Sequence, residues 1–293
     1  MKIINTFLFF ALVAAGWVLP SAAPGADLRM DGGIRLHYET SGTGPVPVVL
    51  VHGFAMSSEV WKKAMPLFPS GYRLFAIDLK GFGRSDKPET GYTCREQADT
   101  IGAFMDSMGL SRAVLIGHSF GGLVVQHFAA RHPGRVMALV LSNTASTSRQ
   151  SRGLTPAAEQ RIKRYGSVEE NRRIFSASIP RYFDAANVSS EDIAHFVEVG
   201  LQASNAALRE TLKANYASPA ISASLLAAVR APVLILTASH DPFNTFDQAI
   251  ALGDAFPNSR IEVITRCGHS PMWEKPSEFV TVVTAFLKSS DVR

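Results

Sequence analysis

Gly117-His118-Ser119-Phe120-Gly121 sets a serine between two glycines, with the aliphatic run Val114–Ile116 before it and Leu123–Arg131 at helical spacing after it. A buried strand, a sharp turn and a helix in that order hold a side chain clear of a sheet, beside a helix N-terminus that favours negative charge. The bend brings backbones into close contact and strains the serine, which is why glycines flank it. A serine hydroxyl is a weak nucleophile until a base takes its proton and an acid orients that base. His269, in Cys267-Gly268-His269-Ser270-Pro271, is the candidate base, and Asp241, in Ala238-Ser239-His240-Asp241, the candidate acid. Ser119, Asp241 and His269 follow the chain order expected of such a turn. Attack at a carbonyl builds charge on its oxygen, and the backbone N–H groups of Phe120 and of Phe54, after His52-Gly53, are the expected oxyanion-hole donors.

Rival side chains have other readings. His37 falls in an edge strand, His127 and His132 in the helix after the bend, and His195 in a helical segment; His240 precedes the acid, and His118 is read as packing, turned away from the serine. Asp247 is the fallback acid, on a segment where a capping role is expected. Ser142-Asn143-Thr144, one strand before the site chosen for the acid, holds no carboxylate.

These groups need elements to carry them. Gly33–Glu39 alternates and reads as an antiparallel edge strand, and Pro47–Val51 as a buried strand running into His52-Gly53. A helix capped by Ser57 or Ser58 is expected through Trp61, Met65 and Phe68. Tyr72–Ile77, Val136–Leu141, Pro232–Thr237 and Arg260–Thr265 are further strands, with helices near Arg95–Met108 and Ser277–Leu287. Strands alternating with helices over this length imply a mostly parallel sheet covered on both faces, with ligands beyond the strands' carboxyl ends. The strand pattern lapses over 146–226, where Thr155-Pro156, Ser167 to Glu170 and Ser189 to Asp192 look like helix starts. That stretch reads as an all-helical lid inserted before the last two strands, splitting a core of 26–145 and 227–293. Its aromatics, among them Tyr165, Phe175, Tyr182, Phe183, Phe196 and Tyr216, are mainly core, while Met56, Trp61 and Phe243 are candidate substrate-binding residues.

Lys2 and the uncharged Ile3–Leu19, followed by small residues around Ala23, read as a cleaved signal peptide over 1–25 and hence a secreted or periplasmic protein; an anchor formed by 3–19 is the alternative. Export makes a Cys94–Cys267 disulfide conceivable, though two separate buried thiols are the expected state. The chain has 293 residues, 46% of them hydrophobic, and its net charge of +4 is scattered, which argues against nucleic acid as a partner. No histidine pair has zinc-ligand spacing and no nucleotide fingerprint is present, so neither metal nor cofactor is expected.

The chain resembles the α/β-hydrolase superfamily, in particular its lid-bearing esterase and lactonase-like branch. The likeness rests on His52-Gly53, Asp78 with Gly81, Gly83 and Ser85, the 117–121 bend, Asp241, and His269 with Glu274 and Pro276, and covers nearly the whole mature chain. It implies an eight-stranded sheet, Ser119 as nucleophile with an acyl-enzyme intermediate, and a purely structural turn at Asp78 to Ser85. Ser239 departs from the glycine common two residues before the acid. A serine at the bend sets the chain apart from aspartate-nucleophile dehalogenases and epoxide hydrolases. The implied reaction is cleavage of a small to medium carboxylic ester or lactone. The same triad also serves amide or carbon–carbon hydrolysis, acyl transfer or cofactor-free perhydrolysis, and a ligand receptor with an intact triad is the alternative of another class.

Overall fold

The computed structural model describes residues 25–30, 32–146, 153–217 and 220–292. The segment read as a signal peptide lies almost wholly outside them. One sheet of eight strands runs through the molecule in the order β1-β2-β4-β3-β5-β6-β7-β8. β1 (Ala26–Arg29), β2 (Arg35–Ser41) and β4 (Tyr72–Ile77) pair antiparallel, and β3 (Val46–Val51), β4, β5 (Ala113–His118), β6 (Val136–Ser142), β7 (Val233–Ala238) and β8 (Ser259–Ile264) pair parallel. All six residues of β5 and of β7 are buried, as continuous aliphatic runs require in a sheet covered on both faces.

Two expectations are corrected here. The edge is β1, not the alternating strand β2, which β1 and β4 flank. The helix expected through Trp61, Met65 and Phe68 is two short 3-10 turns, Ser58–Trp61 and Met65–Leu67. Pro66, without an N–H, cannot continue a helix from the first turn into the second.

Helices α1 (Cys94–Ser107), α2 (Phe120–Arg131), α8 (Phe246–Gly253), α9 (Pro271–Glu274) and α10 (Pro276–Ser289) accompany the sheet. Between β6 and β7 the chain forms α3 (Pro156–Lys163), α4 (Val168–Ser178), α5 (Ser190–Leu201), α6 (Asn205–Ala217) and α7 (Ala223–Ala227). The capping boxes of Ser167 with Glu170 and Ser189 with Asp192 both form. Phe175 is buried against Tyr165 within this insertion, Phe196 is buried against Trp273 of α9, and α7 packs on α2. No helix among the described residues is long and apolar enough to cross a membrane.

Candidate active site

Ser119 joins β5 to α2 with φ of 51° and ψ of −117°, a left-handed conformation that costs a non-glycine residue about 1–3 kcal/mol. The bend is possible because a Cβ on Gly121 would stand 2.3 Å from the Val51 carbonyl oxygen, and one on Gly117 2.6 Å from that of Gly121. The elbow is pinned from the next strand. Ser119 N–H donates to Ser142 O at 3.0 Å, and the Thr144 hydroxyl donates to Ser119 O at 2.7 Å.

Asp241 follows β7. Its side chain is fully buried and every acceptor position is filled. Oδ2 accepts from His269 Nδ1 at 2.9 Å and from Asn143 Nδ2 at 2.9 Å; Oδ1 accepts from the N–H groups of Phe243 (2.8 Å) and Asn244 (3.2 Å). Burial alone would raise this carboxyl's pKa; the His269 imidazole and the Asn143 and Phe243 donors outweigh it and hold the pKa below the usual value. With Nδ1–H committed to Asp241, His269 keeps Nε2 free as a base.

The His269 ring is wedged among Phe243, Tyr182 and His118, with centroids 5.0, 5.7 and 4.9 Å away. Its backbone is held from both sides: its N–H donates to Tyr182 O at 2.8 Å, and His118 Nε2–H donates to its carbonyl at 2.8 Å. His118 thus packs against the His269 ring and props its carbonyl, and burial keeps it neutral, with its pKa lowered to about 3. Beneath the loop, the buried Glu274 carboxylate accepts from the N–H groups of Gly268 (2.8 Å), Ser270 (3.0 Å) and Asp184 (2.9 Å). Asp184 belongs to the insertion between β6 and β7, so one carboxylate ties the histidine loop to that insertion.

Ser119 and His269 line one cavity of about 380 Å³ together with Phe54, Phe120, Met56 and Phe243. Among the described residues the Ser119 hydroxyl has no hydrogen-bond partner; such contacts commonly tighten only when substrate binds. Phe120 opens α2, so its N–H has no acceptor within the helix. The turn at His52-Gly53 closes through Met56 N–H on Gly53 O (3.3 Å). His52 braces that turn: Nδ1–H donates to Gly53 O at 2.8 Å while Nε2 accepts from Leu79 N–H at 3.0 Å, and burial lowers its pKa.

Trp61 does not belong to this cavity. It is fully buried against Phe279, with ring centroids 6.0 Å apart, and is core. Asp247 lies in the first turn of α8, beside the N-cap Thr245. Asp78 binds the N–H groups of Ser58 (2.6 Å) and Arg84 (2.7 Å) and receives the Ser85 hydroxyl on its carbonyl, which makes 78–85 a braced turn. Cys94 and Cys267 are separate buried thiols. Among the described residues no group of three His, Cys, Asp or Glu side chains is arranged to hold a metal.

Sequence reasoning missed Asn143, Asn244 and the Tyr182 carbonyl. Asn143 sits at the end of β6, the place inspected for a carboxylate, in a left-handed conformation (φ 51°) that turns its amide onto Asp241. Asn244 Nδ2 then donates to Asn143 O at 2.8 Å. The signal available was its position: an amide beside the acid can serve where an acid could have stood.

Residues 46–276 match the alpha/beta hydrolase fold family, and the chain belongs to it. A 2-hydroxy-6-oxononadienedioate/2-hydroxy-6-oxononatrienedioate hydrolase of Burkholderia vietnamiensis is 28% identical over 267 residues, covering 87% of this chain and 91% of that protein. A thermophilic esterase from Thermogutta terrifontis superposes with a TM-score of 0.78 at 28% identity, over 92% of this chain and 99% of that one. The enol-lactonase of Burkholderia xenovorans LB400 shares the fold, with a TM-score of 0.78 at 23% identity over 90% of this chain and 100% of that one.

Proposed function

We propose that the protein is an exported, cofactor-independent serine hydrolase that cleaves a small to medium carboxylic ester or lactone. Ser119 attacks the carbonyl as His269 Nε2 takes its proton, and Asp241 stabilises the imidazolium that forms. The N–H groups of Phe54 and Phe120 receive the oxyanion. The imidazolium then protonates the leaving alcohol, leaving an acyl group on Ser119 that water removes by the same route. The observation that carries this reading is the Asp241–His269 pair at 2.9 Å, whose imidazole lines a cavity that also holds the strained Ser119. Met56 and Phe243, with Leu123 and Leu212, give that cavity an apolar body for the acyl or alcohol part.

The test is turnover of p-nitrophenyl butyrate. Ser119→Ala should lower kcat by about a millionfold while the protein stays folded. A fluorophosphonate should label Ser119 and no other residue. Retained turnover, or labelling elsewhere, removes the mechanism.

Carbon–carbon hydrolysis on the same residues is the second reading, favoured by the Burkholderia vietnamiensis relative, whose named substrate is an oxo-dicarboxylate without an ester bond. Turnover of a vinylogous diketone with no turnover of esters would select it. Export is tested by the N-terminal residue of the mature protein: a start near Ala26 supports cleavage, and an intact Met1 in a membrane fraction supports the anchor.

A further inference from the structure

The lid's share of the cavity wall carries positive charge with nothing to balance it. Arg161 on α3 and Asn215 and Tyr216 on α6 line the cavity, and α3 packs against α6, so the three belong to one helical face. Arg161 Nη1 donates to the Tyr216 hydroxyl at 3.3 Å. A second guanidinium, that of Arg181, lies 5.8 Å from the ring centre of Phe243, itself a wall residue. Burial raises the phenol pKa of Tyr182, and Arg161 and Arg181 both pull it back, which places both cations within reach of one wall residue.

Among the described residues no Asp or Glu side chain lines the cavity. Among the described residues neither Arg161 nor Arg181 is ion-paired with a carboxylate, whereas Arg172 and Arg173 of the same insertion are paired with Glu198 and Glu169. Arg172 and Arg173 lie outside the cavity, Arg161 lines it without an acidic partner, and Arg181 stands against its wall residue Phe243. A guanidinium fork beside a hydroxyl and an amide is suited to a planar carboxylate, which it binds through two parallel N–H donors.

We propose that this face reads a free carboxylate on the substrate: the molecule cleaved at Ser119 carries, besides its ester or lactone bond, an anionic group bound by Arg161 with Tyr216 and Asn215, in the field of Arg181. The inference rests on the serine-hydrolase reading and names its substrate class, a hemiester or lactone of a dicarboxylic acid. The charged end meets the lid, and the apolar chain between spans the wall formed by Leu212 and Phe243.

Mono-p-nitrophenyl adipate and its neutral methyl ester have the same chain and differ in one charge. The protein should favour the anion in kcat/KM by about tenfold, the size of one charge-assisted contact at a half-open site. Near 1 M salt, where the Debye length is about 3 Å, the preference should shrink towards parity. Arg161→Gln should bring the ratio near one, Arg161→Glu should invert it, and Arg161→Lys should retain part of it. A wild type that favours the neutral ester, or a ratio that Arg161→Glu leaves unchanged, overturns the proposal while leaving the hydrolase intact.

Calorimetric binding of the hemiester to Ser119→Ala reads the same contact without turnover. Binding that weakens about tenfold when Arg161→Glu is added supports the carboxylate site even if the wild type hydrolyses neither ester. No binding, or equal binding by both variants, overturns it. Failure of the hydrolase reading shows separately, as absent fluorophosphonate labelling of Ser119.

Discussion

His269, with its buried partner Asp241, and Arg161 line the same cavity from different sides and are fixed by different means. Asp241 has four donors on two oxygens, and His269 is gripped through its ring, its N–H and its carbonyl. Arg161 is exposed, and a single 3.3 Å contact with Tyr216 steadies it. Proton transfer fails when a group is misplaced by a fraction of an ångström, and the pair we assign to it is held by backbone and buried polar bonds. A long cation at a cavity mouth can adjust to its ligand, and changes there alter what is bound before they alter the chemistry.

The sharpest way to break the comparison is Asp241→Asn. It preserves shape but offers His269 Nδ1 the wrong partner, and kcat should fall about ten thousandfold in an ester assay. A loss below tenfold would place the acid elsewhere. Next comes Glu274→Ala, which strips three backbone N–H groups on two segments of their acceptor. We expect about 3 kcal/mol of lost stability in urea unfolding and a lower kcat, with Glu274→Gln recovering part of both. A variant as stable as the parent would show that the joint is not needed.

A third test uses pH. His118 is held to about 3 and His127 to about 4, both chiefly by burial, against 6.5 when unfolded. The folded chain thus binds fewer protons than the unfolded chain below pH 6.5, so their stabilisation is complete above that pH and lost as pH falls towards 3. Asp241, with its pKa lowered, adds a loss of the same sign as pH drops below its unfolded value of 3.8. Urea midpoints measured downwards from pH 7 should therefore decline from the start, and His127→Gln should make the early decline shallower. Tyr216→Phe is the mildest change: removing one hydroxyl from the α3–α6 face should shift KM for an anionic ester by about threefold or less, with kcat held.

What the residues disclosed in advance follows the same division. The elbow was legible because its steric demand writes Gly117 and Gly121 into the chain on either side of Ser119. Asp241 and His269 were legible through chain order and their places after strands. The parallel strands were legible as aliphatic runs, since burial on both faces leaves little choice of side chain. Trp61 misled because core and cavity wall draw on the same aromatic residues, and only packing against Phe279 separates them. β1 was invisible: four residues, Ala26–Arg29, pair with β2 through backbone bonds that no short pattern announces. Asn143 could not be assigned because its role depends on β6 and β7 lying side by side, with Asp241 98 positions further along the chain.

The Tyr182 carbonyl, which takes the His269 N–H, and the Glu274 carboxylate, which takes that of Asp184, have a consequence for anyone who would exchange the insertion for another. A transplanted cap would bring its own backbone to this seam, and the histidine would lose its footing unless residues 182–187 stayed with the host. Graft boundaries belong on either side of that hexapeptide, so that new residues can be installed around α3 and α6 without disturbing the Asp241–His269 pair.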